Sequence, residues 1–251
     1  MLPTKAQRWY IGIDDTDNIE SRGTGFHARS LGAAINKQQL GRCRFITRHQ
    51  LLMSPLVPFT SHNSAACLVI EQFNAPVRDI EKLCVEYLLN ESAEGADVGL
   101  CIASEQQLSM AMLQFGFICK QRLVTQQQAR DLARQYNVIL HGLTGTEDGV
   151  IGALAAVNLC GSGVDGRLLW LPGMRDHVQQ TLSLSSLLDL TDITVVQDRQ
   201  GKVLNDPVIQ IAMGSWPRAI WLGGEATLIV EPDEETPNEW KVAEKSYLKQ
   251  F

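Results

Sequence analysis

With 251 residues, 45% of them hydrophobic and 20% charged, the chain is long enough for one large domain or two modest ones, each with a buried core. A formal net charge of −6 removes any general electrostatic attraction to nucleic acid, so such a contact would have to come from a local basic patch. No apolar run approaches the roughly 20 residues that cross a bilayer, and MLPTKAQRWY has no apolar secretory core, so a cytoplasmic protein with no membrane partner is expected.

RWYIGI (8–13) is an apolar run that predicts a buried strand, and Asp14, Asp15 and Asp17 follow it directly. After SRGTG, the segment HARSLGAAINKQQ (27–39) predicts a helix, and CRFITRHQLLM (43–53) a second strand, before a loop with Pro55 and Pro58. SAACLVIEQF (64–73) reads as a strand. VRDIEKLCVEYLLNE (77–91) reads as a helix, because Ile80, Leu83, Cys84, Tyr87 and Leu88 recur at helical spacing. DVGLCIA (97–103) predicts a strand, SEQQLSMAMLQFG (104–116) a helix closed by Gly116, and FICKQRLV (117–124) another strand. Residues 64–124 therefore read β-α-β-α-β, which suits a ferredoxin-like insert.

TQQQARDLARQY (125–136) predicts a helix opened by Thr125, with Gln128 in capping-box register. NVILHGL (137–143) and GVIGALAAVNL (149–159) read as a strand and a helix joined by a glycine-rich turn. Beyond Gly163, LLWL, ITVVQD, PVIQIAM and ATLIVEPD read as short strands, and the polar tail PDEETPNEWKVAEKSYLKQF (232–251) is expected to be mobile or loosely docked. The six cysteines, Cys43, Cys67, Cys84, Cys101, Cys119 and Cys160, form no C-x-x-C pair, which argues against a zinc knuckle or a disulfide framework.

Three carboxylates within four positions repel one another unless a cation or hydrogen-bond donors neutralise them. Two readings stay open. Alternation along an extended chain would put Asp15 and Asp17 on one side and Asp14 on the other, and a pair on one side can share Mg²⁺ with phosphate oxygens. Alternatively the aspartates cap the following turn or helix. Arg22, Gly23 and Gly25 then form a turn whose N–H groups and helix N-terminus suit an anion, or a plain strand-to-helix connection. HGLTGTEDGVIGALAA (141–156) offers Gly142, Gly145, Gly149 and Gly152 for the same purpose, without a P-loop's Gly-Lys-Ser/Thr; Gly152 beside Ala153, Ala155 and Ala156 would also let the helix lie close on a sheet. His141 reads as a strand-end histidine. Lys37, Arg42, Arg44 and Arg48 form a modest basic cluster, either a nucleic-acid contact or a solvated face.

IGIDDTD, SRGTG, SHNSAACLV and DGVIGALAA, in that order, resemble the N-terminal half of archaeal tRNA-Ile agmatidine synthetase, and GSWPRAIWLGGE (214–225) resembles a later segment of that family more loosely. The resemblance implies an α/β (α+β) fold: an unusual kinase-like nucleotide-binding domain, 1–63 plus 125–251, interrupted by a ferredoxin-like domain, 64–124. It implies ATP and Mg²⁺ as cofactors. Asp14, Asp15 and Asp17 would hold the metal and act in catalysis, Arg22, Gly23, Gly25 and Asn63 would line the nucleotide, and Gly149 and Gly152 would support its phosphates. Phe26 stands where the family has its reactive threonine, so Thr24, two residues earlier, is the candidate catalytic threonine.

The family continues into an OB-fold and a zinc ribbon that hold tRNA, and a freestanding relative without them is expected here. The implied function is that of a Mg-ATP-dependent phosphotransferase with ligase-like chemistry, akin to tRNA-modifying transferases, which activates an oxygen of a small-molecule or nucleoside acceptor by phosphorylation. ATP and that acceptor are the expected partners, with tRNA and a second copy of the chain as further candidates. Two alternatives remain: a non-catalytic nucleotide- or RNA-binding accessory protein, and a phosphohydrolase with Asp15 as nucleophile.

Overall fold

A computed structural model describes residues 7–57, 63–71, 75–234, 236 and 239–251. Pro58 and the last two residues of the strand expected at 64–73 lie outside them. Helices and strands are mixed along the chain, which divides into two compact units, Met1–Ser162 and Gly163–Phe251.

The first unit begins with β1 (Trp9–Asp14), whose four inner residues are all buried, as its uninterrupted apolar run requires. Helix α1 (Thr24–Lys37), β2 (Arg42–Gln50), β3 (Ser64–Glu71), α2 (Val77–Glu91) and β4 (Gly99–Ser104) follow. After them come α3 (Met110–Gln121), α4 (Gln126–Gln135), β5 (Ile139–Gly142) and α5 (Gly149–Ser162). The strand order is β5-β4-β1-β3-β2, and every pairing is antiparallel. The boundary at 162/163 differs from the expected split into 1–63 plus 125–251 and 64–124. Strands β3 and β4 are the hydrogen-bonded neighbours of β1 on its two sides, so segment 64–124 belongs to the same sheet as the strand that carries the aspartates.

Cross-strand register explains how the sheet is sandwiched. Ile46, Leu68, Ile11 and Ile102 form one paired row. Gly32 on α1 meets that face, where a β-carbon would stand 3.4 Å from both Ile46 Cδ1 and Leu68 Cδ2. Thr47, Cys67, Gly12 and Cys101 form the next row and face the opposite way. Here α5 packs, so closely that a β-carbon on Gly12 would lie 2.0 Å from the Ala153 carbonyl oxygen. Each fully buried Leu or Ile of these rows contributes about 1.5–3 kcal/mol. All six cysteines are buried and none is in a disulfide; Cys160 shares hydrogen bonds with Cys67, His49 and Thr47.

Two expectations for the first unit change. Residues 117–121 continue α3 rather than starting a strand, because Gly116 sits inside the helix against α5, where a β-carbon would come within 2.9 Å of Leu159 Cγ. The helix starts late, with Ser109 accepting from the Met112 N–H, after a separate 3-10 turn at Glu105–Gln107. The Thr125–Gln128 capping box forms as expected, with the Thr125 N–H donating to Gln128 Oε1 at 2.9 Å.

The second unit holds β6 (Arg167–Trp170), β7 (Thr181–Ser183), α6 (Leu184–Leu190), β8 (Val195–Asp198) and β9 (Gln210–Ala212). It ends with β10 (Ile220–Leu222), β11 (Glu225–Pro232), β12 (Glu239–Val242) and α7 (Lys245–Leu248). Its strands run β6-β10-β11-β12-β9-β7, with β8 joining β11 in parallel. The tail is anchored more firmly than its polarity suggests: β12 pairs with β11, and Leu248 is fully buried with Ile220, Ile229 and Ala243.

Candidate functional site

Because the first sheet is antiparallel, the carboxyl ends of β1 and β2 meet the amino ends of β3 and β4. A cavity of about 230 Å³ opens there. Asp14, Asp15, Asp17 and Thr24 line one side, Asp148, Gly149, Ile151 and Gly152 another. Leu51, Leu52, Asn63 and Ser64 come from the ends of β2 and β3, and Cys119, Arg122 and Leu123 from the end of α3.

The three aspartates reach this cavity by a route that alternation does not describe. Asp14 is the last residue of β1, paired with Gly99. The backbone then turns left-handed at Asp15, φ 51°, a conformation that Asp tolerates better than most residues. The extended chain therefore stops at Asp14, and Asp15 and Asp17 reach the cavity that Asp14 already lines instead of dividing between two faces. Gly152 leaves room for the Asp14 carboxylate, since a β-carbon there would stand 1.7 Å from Asp14 Oδ2.

The carboxylates divide into two kinds. Asp17 Oδ1 accepts from the Thr24 N–H at 3.2 Å and the Thr24 hydroxyl at 2.8 Å, so it caps α1 in place of a side chain on Gly23. The Thr16 hydroxyl donates in turn to Thr24 Oγ1 at 3.1 Å. Asp14 and Asp15 carry no ion pair among the described residues. Burial, reinforced by Asp15 and Asp17, pushes Asp14 up to about 8. Burial, reinforced by Asp97, Asp17 and Asp148, pushes Asp15 up to about 6. Both shifts record first the cost of burying a charged carboxylate and then the repulsion of neighbouring acids.

Other expected site residues fall out differently. Asn63 lines the cavity, but its side-chain amide donates to the Leu52 carbonyl at 2.8 Å and thereby fixes the wall after β2. Arg22, Gly23 and Gly25 are not among the lining residues; the Arg22 guanidinium lies over the Phe26 ring at 4.4 Å. Helix α1 starts at Thr24, so Gly25 is helical and neither glycine adopts positive φ. Gly149 lines the cavity, yet its N–H already donates to the Asp97 carbonyl at 2.8 Å. His141 pairs with Glu81 at 2.6 Å. In the basic cluster, Arg44 is matched by Glu71 at 3.2 Å.

Asp148, Arg122 and Cys119 also line the cavity, and Asp97 lies near enough to act on Asp15, although no local motif marks any of them. Asp148 sits immediately before α5, where an acidic residue is ordinary, and the end of α3 reaches the cavity only through tertiary packing. The Cys119 thiol is pushed up to about 12 by burial and then by Asp14. Among the described residues, no three His, Cys, Asp or Glu side chains converge to enclose a metal by themselves.

No protein-family model matches the chain. It is 26% identical over 163 residues to an uncharacterised protein of Methanocaldococcus jannaschii, MJ0921, a match that takes in 63% of this chain and 52% of that one. Among solved structures it resembles TiaS in complex with an isoleucine tRNA and ATP, with a TM-score of 0.54 at 22% identity, covering 61% of this chain and 36% of TiaS. TiaS in complex with the same tRNA, AMPCPP and agmatine gives a TM-score of 0.52 at 22% identity, with 60% and 36% covered. TiaS is the tRNA-Ile agmatidine synthetase. About 60% of the chain thus has the fold of part of TiaS, as the ordered motifs imply. It spans about half the length of the curated relative and about a third of TiaS. No helix among the described residues is long and apolar enough to cross a membrane.

Proposed function

We propose that the cavity binds a Mg²⁺–nucleoside triphosphate, and that the chain is an ATP-dependent phosphotransferase activating an oxygen of a nucleoside or small-molecule acceptor. The observation that carries this reading is the pair Asp14 and Asp15, two carboxylates held at raised affinity for protons in a cavity that gives them no ion-pair partner. Mg²⁺ is commonly held by one or two carboxylates together with substrate phosphates and water. A site with two such groups and no enclosing third fits a metal that arrives with a nucleotide better than a resident one. When bound, that metal supplies charge neutralisation to the phosphates.

The chain's own residues supply the rest. Asp14 and Asp15 present oxygens to the cation, and the Gly152 gap lets Asp14 do so from inside the sheet. Thr24 offers a hydroxyl at the cavity wall, and Asp17, 2.8 Å away, is placed to take its proton. On this reading Thr24 is the group that receives or relays phosphate. Because TiaS is seen with tRNA, ATP and agmatine, a nucleoside within tRNA is the favoured acceptor.

Titration calorimetry with ATP in the presence and absence of Mg²⁺ tests the reading. Uptake of ATP that requires Mg²⁺ and disappears in Asp15→Asn supports it. Equal uptake with and without the metal, or none at all, refutes it.

A further inference from the structure

Arg122 is the one cationic side chain among the described residues that line the cavity, whose carboxylates are Asp14, Asp15, Asp17 and Asp148. It stands just past the end of α3, its N–H still donating to the Ile118 carbonyl at 3.0 Å, while its backbone has turned extended at φ −149°. The side chain is exposed and makes no ion pair with any described residue. An arginine in one cavity with four carboxylates would ordinarily pair with one of them. This one faces the cavity from the wall formed by α3, while the acids come from β1, its following loop and the start of α5.

We propose that Arg122 is the phosphate-clamping residue of this cavity. The proposal rests on the nucleotide reading above. A cation held by Asp14 and Asp15 neutralises phosphate oxygens on one side only. The oxygens on the other side need a second positive group, and a guanidinium meets two of them at once in a planar fork. The cavity's 230 Å³ is below the roughly 300–1,000 Å³ of pockets that engulf a whole ligand. It suits the phosphate end of a nucleotide, with the nucleoside passing outward beside Leu56 and Leu123, which are 75% and 51% exposed at the same opening.

The test is calorimetric titration of Mg-ATP, Mg-ADP and adenosine into the full chain and its Arg122→Ala, Arg122→Lys and Asp15→Asn variants, with thermal unfolding run alongside. Arg122→Ala is expected to weaken Mg-ATP binding about tenfold or more, the size of one lost charge-assisted contact. Mg-ADP should weaken less and adenosine should not change. Arg122→Lys should recover only part of the loss, because an ammonium makes no fork. Unfolding temperature should stay put, since the side chain is exposed. If Arg122→Ala binds Mg-ATP as tightly as the parent while Asp15→Asn does not, the clamp is overturned and the site reading survives. If all three probes weaken equally, the clamp is likewise overturned. A parent that takes up no nucleotide overturns both.

Discussion

Two loops of the first unit, the one after β1 and the one before α5, both combine aspartate, threonine and glycine, and they differ in how much of their polar surface the fold already satisfies. In the loop before α5, Thr144 donates to the Ala96 carbonyl at 2.5 Å and accepts from the Val98 N–H at 3.0 Å. Asp97 accepts from the Thr146 N–H, and Glu147 is paired with Arg130. Gly145 is left-handed at φ 57°, and a side chain there would collide with Asp97. That loop is tied to the segment before β4 and to α4, where the Gln126 amide also donates to Asp148 at 2.6 Å. In the loop after β1, by contrast, Asp17 finds donors on α1 while Asp14 and Asp15 find no counter-charge. Composition alone does not distinguish the two; the difference lies in which polar groups the fold has already satisfied.

The sharpest way to break this contrast is to neutralise one member on each side. Asp15→Asn should lower Mg-dependent ATP turnover about a hundredfold or more, the scale of losing one electrostatic partner of a transition state, while far-ultraviolet circular dichroism stays unchanged. Turnover equal to the parent's would end the claim that the first loop is functional.

The same charges should be visible in stability without any ligand. The Asp14 carboxyl, ordinarily near 3.8, stands at about 8 in the folded chain. Between those values the folded state keeps a proton that the unfolded state has lost, so stability should fall as pH rises through that window and level off above it. Asp14→Asn should flatten the fall in urea midpoints measured without divalent cations. Added Mg-ATP should also reduce it if the cation meets these groups.

Gly152→Ala probes the junction where Asp14 meets α5. A β-carbon 1.7 Å from Asp14 Oδ2 forces the carboxylate or the helix aside, at about 1–3 kcal/mol in denaturant midpoints, with weaker Mg-ATP binding. Beside the other loop, on the segment before β4, Asp97→Ala should cost about 1 kcal/mol through its lost bond from the Thr146 N–H, and leave Mg-ATP affinity within about threefold, a change below 1 kcal/mol. Ser183→Ala, which removes the α6 cap in the second unit, sets the baseline at about 1 kcal/mol with no change in turnover. Should Asp97→Ala damage nucleotide binding as much as Asp15→Asn, the contrast between the loops fails.

Much of this was legible in the residues. The run WYIGI announces a strand buried on both faces, α2 follows its periodicity to the residue, and Thr125 with Gln128 marks the start of α4. The accumulation of acid after β1 was legible as well. The left-handed turn at Asp15 was not, because Asp permits that conformation without requiring it. Nor was the continuation of α3 through FICKQ, since a short apolar run suits strand and helix alike and only the seat of Gly116 on α5 decides. Asp148 and Arg122 join the site through antiparallel pairing and helix packing, long-range facts that no local pattern encodes. In the second unit, β7, β10 and β12 are three or four residues long, too short to leave a periodicity.

The contact of Gly12 with Ala153 also has a mechanical side. With no side chain between them, β1 and α5 are locked at backbone distance, and the two elements that carry Asp14 and Gly152 behave as a single rigid jaw. Gly116 seats α3 on α5 in the same way, so any closure around a guest must be made by segments outside these elements, the stretches after β2 and beyond Gln121. Hydrogen exchange should register a ligand's arrival at Leu51, Leu52 and Leu123 well before it registers anything at Ile13 or Ala153.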